Sequence, residues 1–314
     1  WPVGLLLLAA PLQAQPVPVT LPCAGLEAGP ARTVSRVIDG ETVELDDGSQ
    51  LRLIGVLAPR AFDVGAEPGT WPAEMEAREE LKSLVLGRSV TVAFGGARVD
   101  RYGRLLGHVF WSNGSRTRWL QRELLERGMA RAFTRDGNRA CARELLAAEA
   151  SARMAPRGLW AQPAYQVRRA ESVQLLRRYR ATFQVVEGVV VRVAQVRRVI
   201  YLNFARDWRR GFSVSLRRRD RNLLGAYAGD PRQLEGKPVR VRGWIRQGRN
   251  LDIELSQAGD IEVIETAGEG SLRRAVPPAE RFPPTRLPSR KADRPASSRP
   301  GGECQIASVR VRRP

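Results

Sequence analysis

A chain of 314 residues with 43% hydrophobic and 27% charged residues can support two ordinary domains, each with its own core. Only one histidine and three cysteines are present, without a CxxC pair, which excludes a Cys/His metal cluster. The formal net charge of +19 favours a polyanionic partner, either nucleic acid or an anionic surface. Much of the surplus lies late in the chain: residues 166–265 hold 21 basic against 11 acidic side chains, and residues 266–314 hold 11 against 4. Arginine-rich, lysine-poor usage also follows from a GC-rich genome, so the surplus is not all functional.

The chain opens with "WPVGLLLLAAPLQAQP", an apolar run ending in small residues near Leu12 and Ala14. It reads as the back end of a secretory signal over residues 1–14, too short to span a bilayer, with cleavage after Ala14 and a linker over 15–30. No later run is long and apolar enough to cross a membrane. Export permits a disulfide, and Cys23 with Cys141 is the preferred pair because Cys304 falls in a tail of disorder-like composition.

From Ala31, "TVSRVIDGETVELDDGSQLRLIGVLAP" alternates apolar residues and breaks at Asp39-Gly40 and Asp47-Gly48, predicting three short strands. "WPAEMEAREELKSLVL" predicts a helix entered at Pro72, with Leu81, Leu84 and Val85 on one face. Strands follow at "SVTVAFG" and "RLLGHVFW", where His108 reads as structural. Helices are then predicted at "RTRWLQRELLERGM", ending at Gly128, and at "NRACARELLAAEASARMAPRGLW", ending at Gly158. Five strands with three helices imply a small α+β barrel over residues 31–165. A connecting helix over 166–182 leads to a second β-rich segment, 183–265. Its five strands, with a helical piece "RNLLGAYAG" after the third, are the order expected of an OB-fold. Residues 266–314, rich in Pro and Arg, are expected to be a disordered basic tail.

The pieces "VIDGETVEL", "LRLIGVLAP", "DRYGRLLGHVF", "LLERGMARAF" and "AAEASARMAPRGLW", in this order and spacing, resemble the staphylococcal nuclease (thermonuclease-like) family over about residues 33–160. The resemblance implies an OB-type barrel, and hence a mostly β, α+β chain of two tandem OB-type five-stranded barrels. It also implies a site in which two Asp carboxylates and a backbone carbonyl hold calcium, a Glu activates water and two arginines grip the scissile phosphate. The arginines match Arg52 and Arg104. A planar guanidinium binds two phosphate oxygens and stabilises the charge that grows on them. Asp100 and Tyr102 match the loop motif.

The acids depart from the pattern. The first ligand position holds Glu41, the second holds Leu57, and the general-base position holds Arg60, with only the backbone of Ala58 left beside them. Calcium takes six to eight oxygens, several of them carboxylate. One carboxylate against three arginines gives a local charge of +2, and placing a divalent cation about 6 Å away at an effective dielectric near 20 costs on the order of 10 kcal/mol before screening. No cofactor is therefore expected. Acids that could migrate into the site are Asp39, Asp46, Asp47, Asp63 and Glu67.

In the second segment, "YLNFARDWRRGFSVSLRRRDR" interleaves aromatics with arginines as single-strand binding demands. Tyr201, Phe204 and Phe212 read as barrel core. Trp208, Arg209, Arg210, Arg217, Arg218 and Arg219 are the candidate nucleic-acid contacts, with Tyr102 in the first barrel. The leading expectation is a secreted or periplasmic protein that binds nucleic acid or another polyanion without hydrolysing it. The alternatives are an active, calcium-dependent nuclease with a rearranged site and a basic envelope interaction protein.

Overall fold

Alternating apolar residues and tight turns build a meander in the first 60 residues, described here from a computed structural model covering residues 21–60, 73–113, 116–248 and 250–264. Its strands are β1 (Glu27–Asp39), β2 (Thr42–Leu45), β3 (Gln50–Leu53) and β4 (Gly55–Leu57). Helix α1 (Glu74–Val85) buries Ala77, Leu81, Leu84 and Val85, and is followed by β5 (Ser89–Phe94) and β6 (Leu105–Asn113). Strand β1 pairs with β5 through its first half and with β2 through its second, and register shifts near Val34 and Val37 bend it between the two partners. A parallel ladder between β3 and β6 then closes a five-stranded barrel, β3-β2-β1-β5-β6. Val34, Val43, Leu51, Leu53 and Phe110 fill it.

Several predicted boundaries change. Strand β1 starts at Glu27, inside the expected linker, because Glu27 and Ala28 pair with Phe94 and Ala93. Residues expected to open the second helix instead form β7 (Arg116–Trp119), and α2 runs only over Leu120–Glu126. Pairing with β6 and the stacking of Trp119 on Phe110, with ring centroids 5.8 Å apart, override helix propensity there. The short β8 (Arg131–Phe133), unread in the sequence, pairs with β4. Helix α3 (Ala142–Met154) stops short of Gly158, since Pro156 drives Ala155 out of the helical region. Cys23 and Cys141 are disulfide-bonded, with Cα atoms 5.5 Å apart, and tie the start of the chain to the first turn of α3.

Beyond the barrel, the predicted connecting helix shrinks to α4 (Val173–Arg178), preceded by the two-residue β9 (Arg168–Arg169). Strands β10 (Phe183–Val189), β11 (Arg192–Val196), β12 (Val199–Asn203) and β13 (Phe212–Arg217) follow. The predicted helical insert is a 3-10 segment over Arg218–Tyr227. After it come β14 (Pro238–Trp244), β15 (Arg246–Gln247), β16 (Leu251–Glu254) and β17 (Ile261–Val263), the last outside the expected five. They form two sheets, β17-β14-β10-β9 and β11-β12-β13-β16-β15. The antiparallel β10–β14 and parallel β13–β16 ladders repeat the pairing order of the first barrel. The counterparts of the β1–β2 and β5–β6 ladders are absent among the described residues, since β10 does not pair with β11 nor β14 with β16, so the second ring of strands is split into two sheets. Among the described residues, no helix is long and apolar enough to cross a membrane. The expected signal remnant, residues 15–20 of the linker and the basic tail lie outside the described residues.

The two β-rich segments lie in one structural unit and share a buried ionic joint. Glu149 of α3, fully buried, accepts from the Ala132 amide (2.8 Å) and from Arg242 of β14 (2.8 Å), and also pairs with Arg153. Arg242 in turn reaches Glu262 at 2.5 Å. Burial alone would push the Glu149 carboxyl up, but Arg242 and Arg153 outweigh it and hold it below the ordinary range. Removing one partner strands a buried charge. Either Glu149→Ala or Arg242→Met is expected to cost about 3–5 kcal/mol in urea unfolding, and the double variant less than the sum of the two.

His108 is 1% exposed, edge-on to Trp119, and burial pushes its imidazole down to about 4. The unfolded chain takes up this proton near 6.5, so between 6.5 and 4 the unfolded state binds more protons and stability falls as pH drops. About 3 kcal/mol should be lost by pH 4, and His108→Leu should flatten that part of the pH–stability curve measured by denaturant unfolding.

Candidate phosphate-binding site

The turn after β1 lets a carboxylate enter the barrel wall. A Cβ on Gly40 would stand 2.8 Å from the Ala58 Cβ, so only glycine allows the "DGE" turn to pack against the strand end. Asp39 caps that turn by accepting the Glu41 amide at 2.8 Å. Gly55, at φ +82°, breaks β3 from β4 where any side chain would strike Leu145. These two glycines bring the residue before β2 against the residues after β4.

Glu41 is consequently fully buried. Its Oε1 meets the Arg52 guanidinium at 2.7 Å and also pairs with Arg60, while Oε2 accepts the Ala58 amide at 3.1 Å. Arg52 is itself buried, and the Arg60 side chain keeps about a third of its surface exposed. Three residues named from the sequence, Glu41, Arg52 and Arg60, therefore meet in one cluster.

Arg104 belongs to the same wall. Arg52 of β3 is in register with Leu106 of β6, so by the two-residue alternation Arg104 projects from the same side of the ladder. Asp100 holds it, accepting its Nε at 2.9 Å and pairing with a terminal nitrogen at 2.7 Å. Burial would raise the Asp100 carboxyl, but Arg104 and the amides of Tyr102 and Arg104 keep it below the usual range. Asp100 thus shapes the turn and aims Arg104. Tyr102 is 67% exposed, with the guanidinium groups of Arg101 and Arg104 at 4.7 and 5.5 Å from its ring centre.

Arg135, in the turn after β8, also joins this neighbourhood. Burial and then Arg52 push its guanidinium down, Asp100 pushes the other way, and Arg104 and Arg101 add to the lowering. Lying some thirty residues past the "DRYGR" loop in an ordinary "TRDGN" turn, it carries no local signal in the sequence. The wall is thus a convergence of arginines.

A calcium ion does not fit these residues. Among the described residues, Glu41 is the one carboxylate at the expected ligand and base positions, and both its oxygens are engaged by internal donors. Leu57, at the second ligand position, is buried against Leu159, Tyr165 and Phe183. Asp46 accepts the Thr33 amide, and Asp47 binds Ser49 and Arg32. Asp63 and Glu67 lie outside the described residues. Among the described residues no three His, Cys, Asp or Glu side chains converge as a metal site. The cations facing Glu41 are the Arg52 and Arg60 guanidinium groups.

The contacts expected in the second segment fall less tightly together. Trp208, 39% exposed, and Arg217 line one groove, whereas Arg209 stacks over Trp208 at 5.1 Å, and Arg210, Arg218 and Arg219 are exposed outside the groove lining. Phe204 and Phe212 are core, as their spacing suggested. Tyr201 is not: it lies on the outer face of β12 and lines the groove, because Ile200 and Leu202 take the inward positions.

A closed five-stranded barrel decorated with helices is the fold expected of the staphylococcal nuclease class. Residues 50–162 match the family described as Staphylococcal nuclease homologue, so this segment is a domain of that family. Over 84 residues, 26% of the chain, the protein is 38% identical to proteins from Escherichia coli and Escherichia coli O157:H7, each named "Uncharacterized endonuclease", and covers 48% of their length. It is 34% identical over 128 residues, 40% of the chain, to an "Uncharacterized 38.1 kDa protein" of Capnoides sempervirens, covering 33% of it. The chain spans about half the length, or less, of these curated relatives.

Deleting the central carboxylate tests the cluster. Glu41→Ala removes the buried carboxylate that Arg52 and Arg60 share and is expected to cost about 3–5 kcal/mol in chemical denaturation. Arg60→Ala, removing a partly exposed partner, should cost about 1 kcal/mol or less.

Proposed function

We propose that the protein is an exported, thermonuclease-like nucleic-acid-binding protein in which calcium-dependent phosphodiester hydrolysis is lost. The observation that carries the reading is the Arg60 guanidinium seated on Glu41, where the family pattern calls for a metal ion and a general base. Internal cations satisfy the carboxylate, and among the described residues no second carboxylate stands beside it to deprotonate water. Arg104 and the neighbouring Arg101 and Arg135 remain to attract phosphate, with Arg52 behind them held in place by Glu41. The Cys23–Cys141 bond and the apolar leader support export to an oxidising compartment, periplasmic or extracellular.

Digestion and binding of single-stranded DNA and RNA, each with calcium and with chelator, test the reading. Expected are no calcium-dependent cleavage, binding that weakens steeply between about 50 and 200 mM salt, and weaker binding by Arg104→Ala. Calcium-dependent cleavage that disappears in Glu41→Ala and Arg104→Ala, both shown to be folded by circular dichroism, would overturn it and identify an active nuclease. Binding insensitive to salt would instead point to an envelope partner.

A further inference from the structure

The β12–β13–β16 face carries a second site, distinct from the arginine wall. Inward positions of this sheet, such as Ile200, Leu202, Val214 and Ile253, belong to the core of the second segment. The outward set forms the floor of a groove of about 840 Å³. Cross-strand register places Tyr201 beside Ser215, and Asn203 beside Ser213. Trp208 stands at its border, exposed by about two fifths.

The polar groups of the floor are held in advance. Beneath the floor, the buried Ser213 donates to the Asn203 Oδ1 at 2.9 Å and accepts from the Asn250 Nδ2 at 2.9 Å, fixing both amides. Ser215 donates to Asp252 at 2.7 Å. Arg246 pairs with Asp252 at 2.6 Å and with Glu254, and Arg217 approaches Glu254 at 3.8 Å. The floor's two arginines are therefore matched by its two acids. A neutral floor cannot track a phosphate backbone, but aromatic faces and fixed amide and hydroxyl groups suit flat, uncharged heterocycles. The charge sits elsewhere: Arg206, Arg209 and Arg210 lie exposed on the loop that carries Trp208, and Arg197 and Arg198 on the turn between β11 and β12.

Resting on the nucleic-acid reading above, we infer that this groove binds the unpaired bases of a single strand. Bases stack on Trp208 and Tyr201 while the rim arginines hold the flanking phosphates. A duplex, whose bases are already stacked and paired, cannot enter. The site thereby sets the substrate class as single-stranded, with the arginine wall supplying sequence-independent phosphate affinity.

Fluorescence anisotropy of the full chain with three labelled probes of equal length tests this: oligo-dT, an abasic strand and a duplex. Oligo-dT should bind about tenfold or more tightly than the abasic strand or the duplex. Trp208→Ala should remove that advantage without changing abasic binding, and Trp208→Phe, which keeps a ring, should retain most of it. Arg104→Ala should weaken dT and abasic binding by the same factor. That last result alone failing counts against the phosphate wall and leaves the groove standing. Equal affinity for dT and abasic strands, or an advantage unchanged in Trp208→Ala, overturns the groove assignment. Displacement of oligo-dT by an uncharged oligosaccharide, lost in Trp208→Ala, overturns it in favour of a glycan.

Discussion

The first barrel is organised around one buried carboxylate. Glu41 stands where a charge is too costly to leave alone, and it is tolerated because Arg52, Arg60 and the Ala58 amide surround it. The same contact sets the chemistry of the wall. By claiming Arg60, the carboxylate has no free oxygen for a metal. By pairing with Arg52, it helps hold that buried guanidinium on the barrel wall. Arg60 and Arg52 together supply the positive charge that a buried Glu41 carboxylate requires.

A second buried ionic cluster has a different role. Glu149, Arg242 and Glu262 join α3 to β14 and β17, so the second β-rich segment continues from the first through charged as well as apolar contacts. Phe133, Phe183 and Trp244 add edge-to-face aromatic packing at the same seam, with centroids 5.0 to 5.6 Å apart. Buried charges need particular partners at particular angles, whereas apolar contacts alone would allow sliding. The arginine wall and the groove are consequently presented by one described unit.

The main strands of the first barrel could be read from alternation and turn residues, since a two-residue period with Asp-Gly breaks has few other meanings, whereas the short β7, β8 and β17 could not. Nor could boundaries. Trp119 belongs to a helix by local propensity and to β7 by its partners on β6, and Tyr201 looks like core until the inward positions prove to be taken by Ile200 and Leu202. At the site, Glu41, Arg52 and Arg104 were legible because they sit inside motifs with recognisable spacing. Arg135 was not, because its neighbours are brought to it by β4–β8 pairing and not by chain proximity.

The sequence by itself determined the first barrel, the basic character and the presence of Leu57 and Arg60 at the end of its fourth strand, all of which depend on residue type and local order. Only the tertiary structure decided what those two residues touch. It seats Arg60 on Glu41, sinks Leu57 into an apolar cluster, and divides the second segment's charge between a balanced groove floor and an exposed basic rim. The reason is physical: electrostatic partnership falls off over a few ångströms in space, and folding alone sets which of the chain's many arginines and few acids come that close.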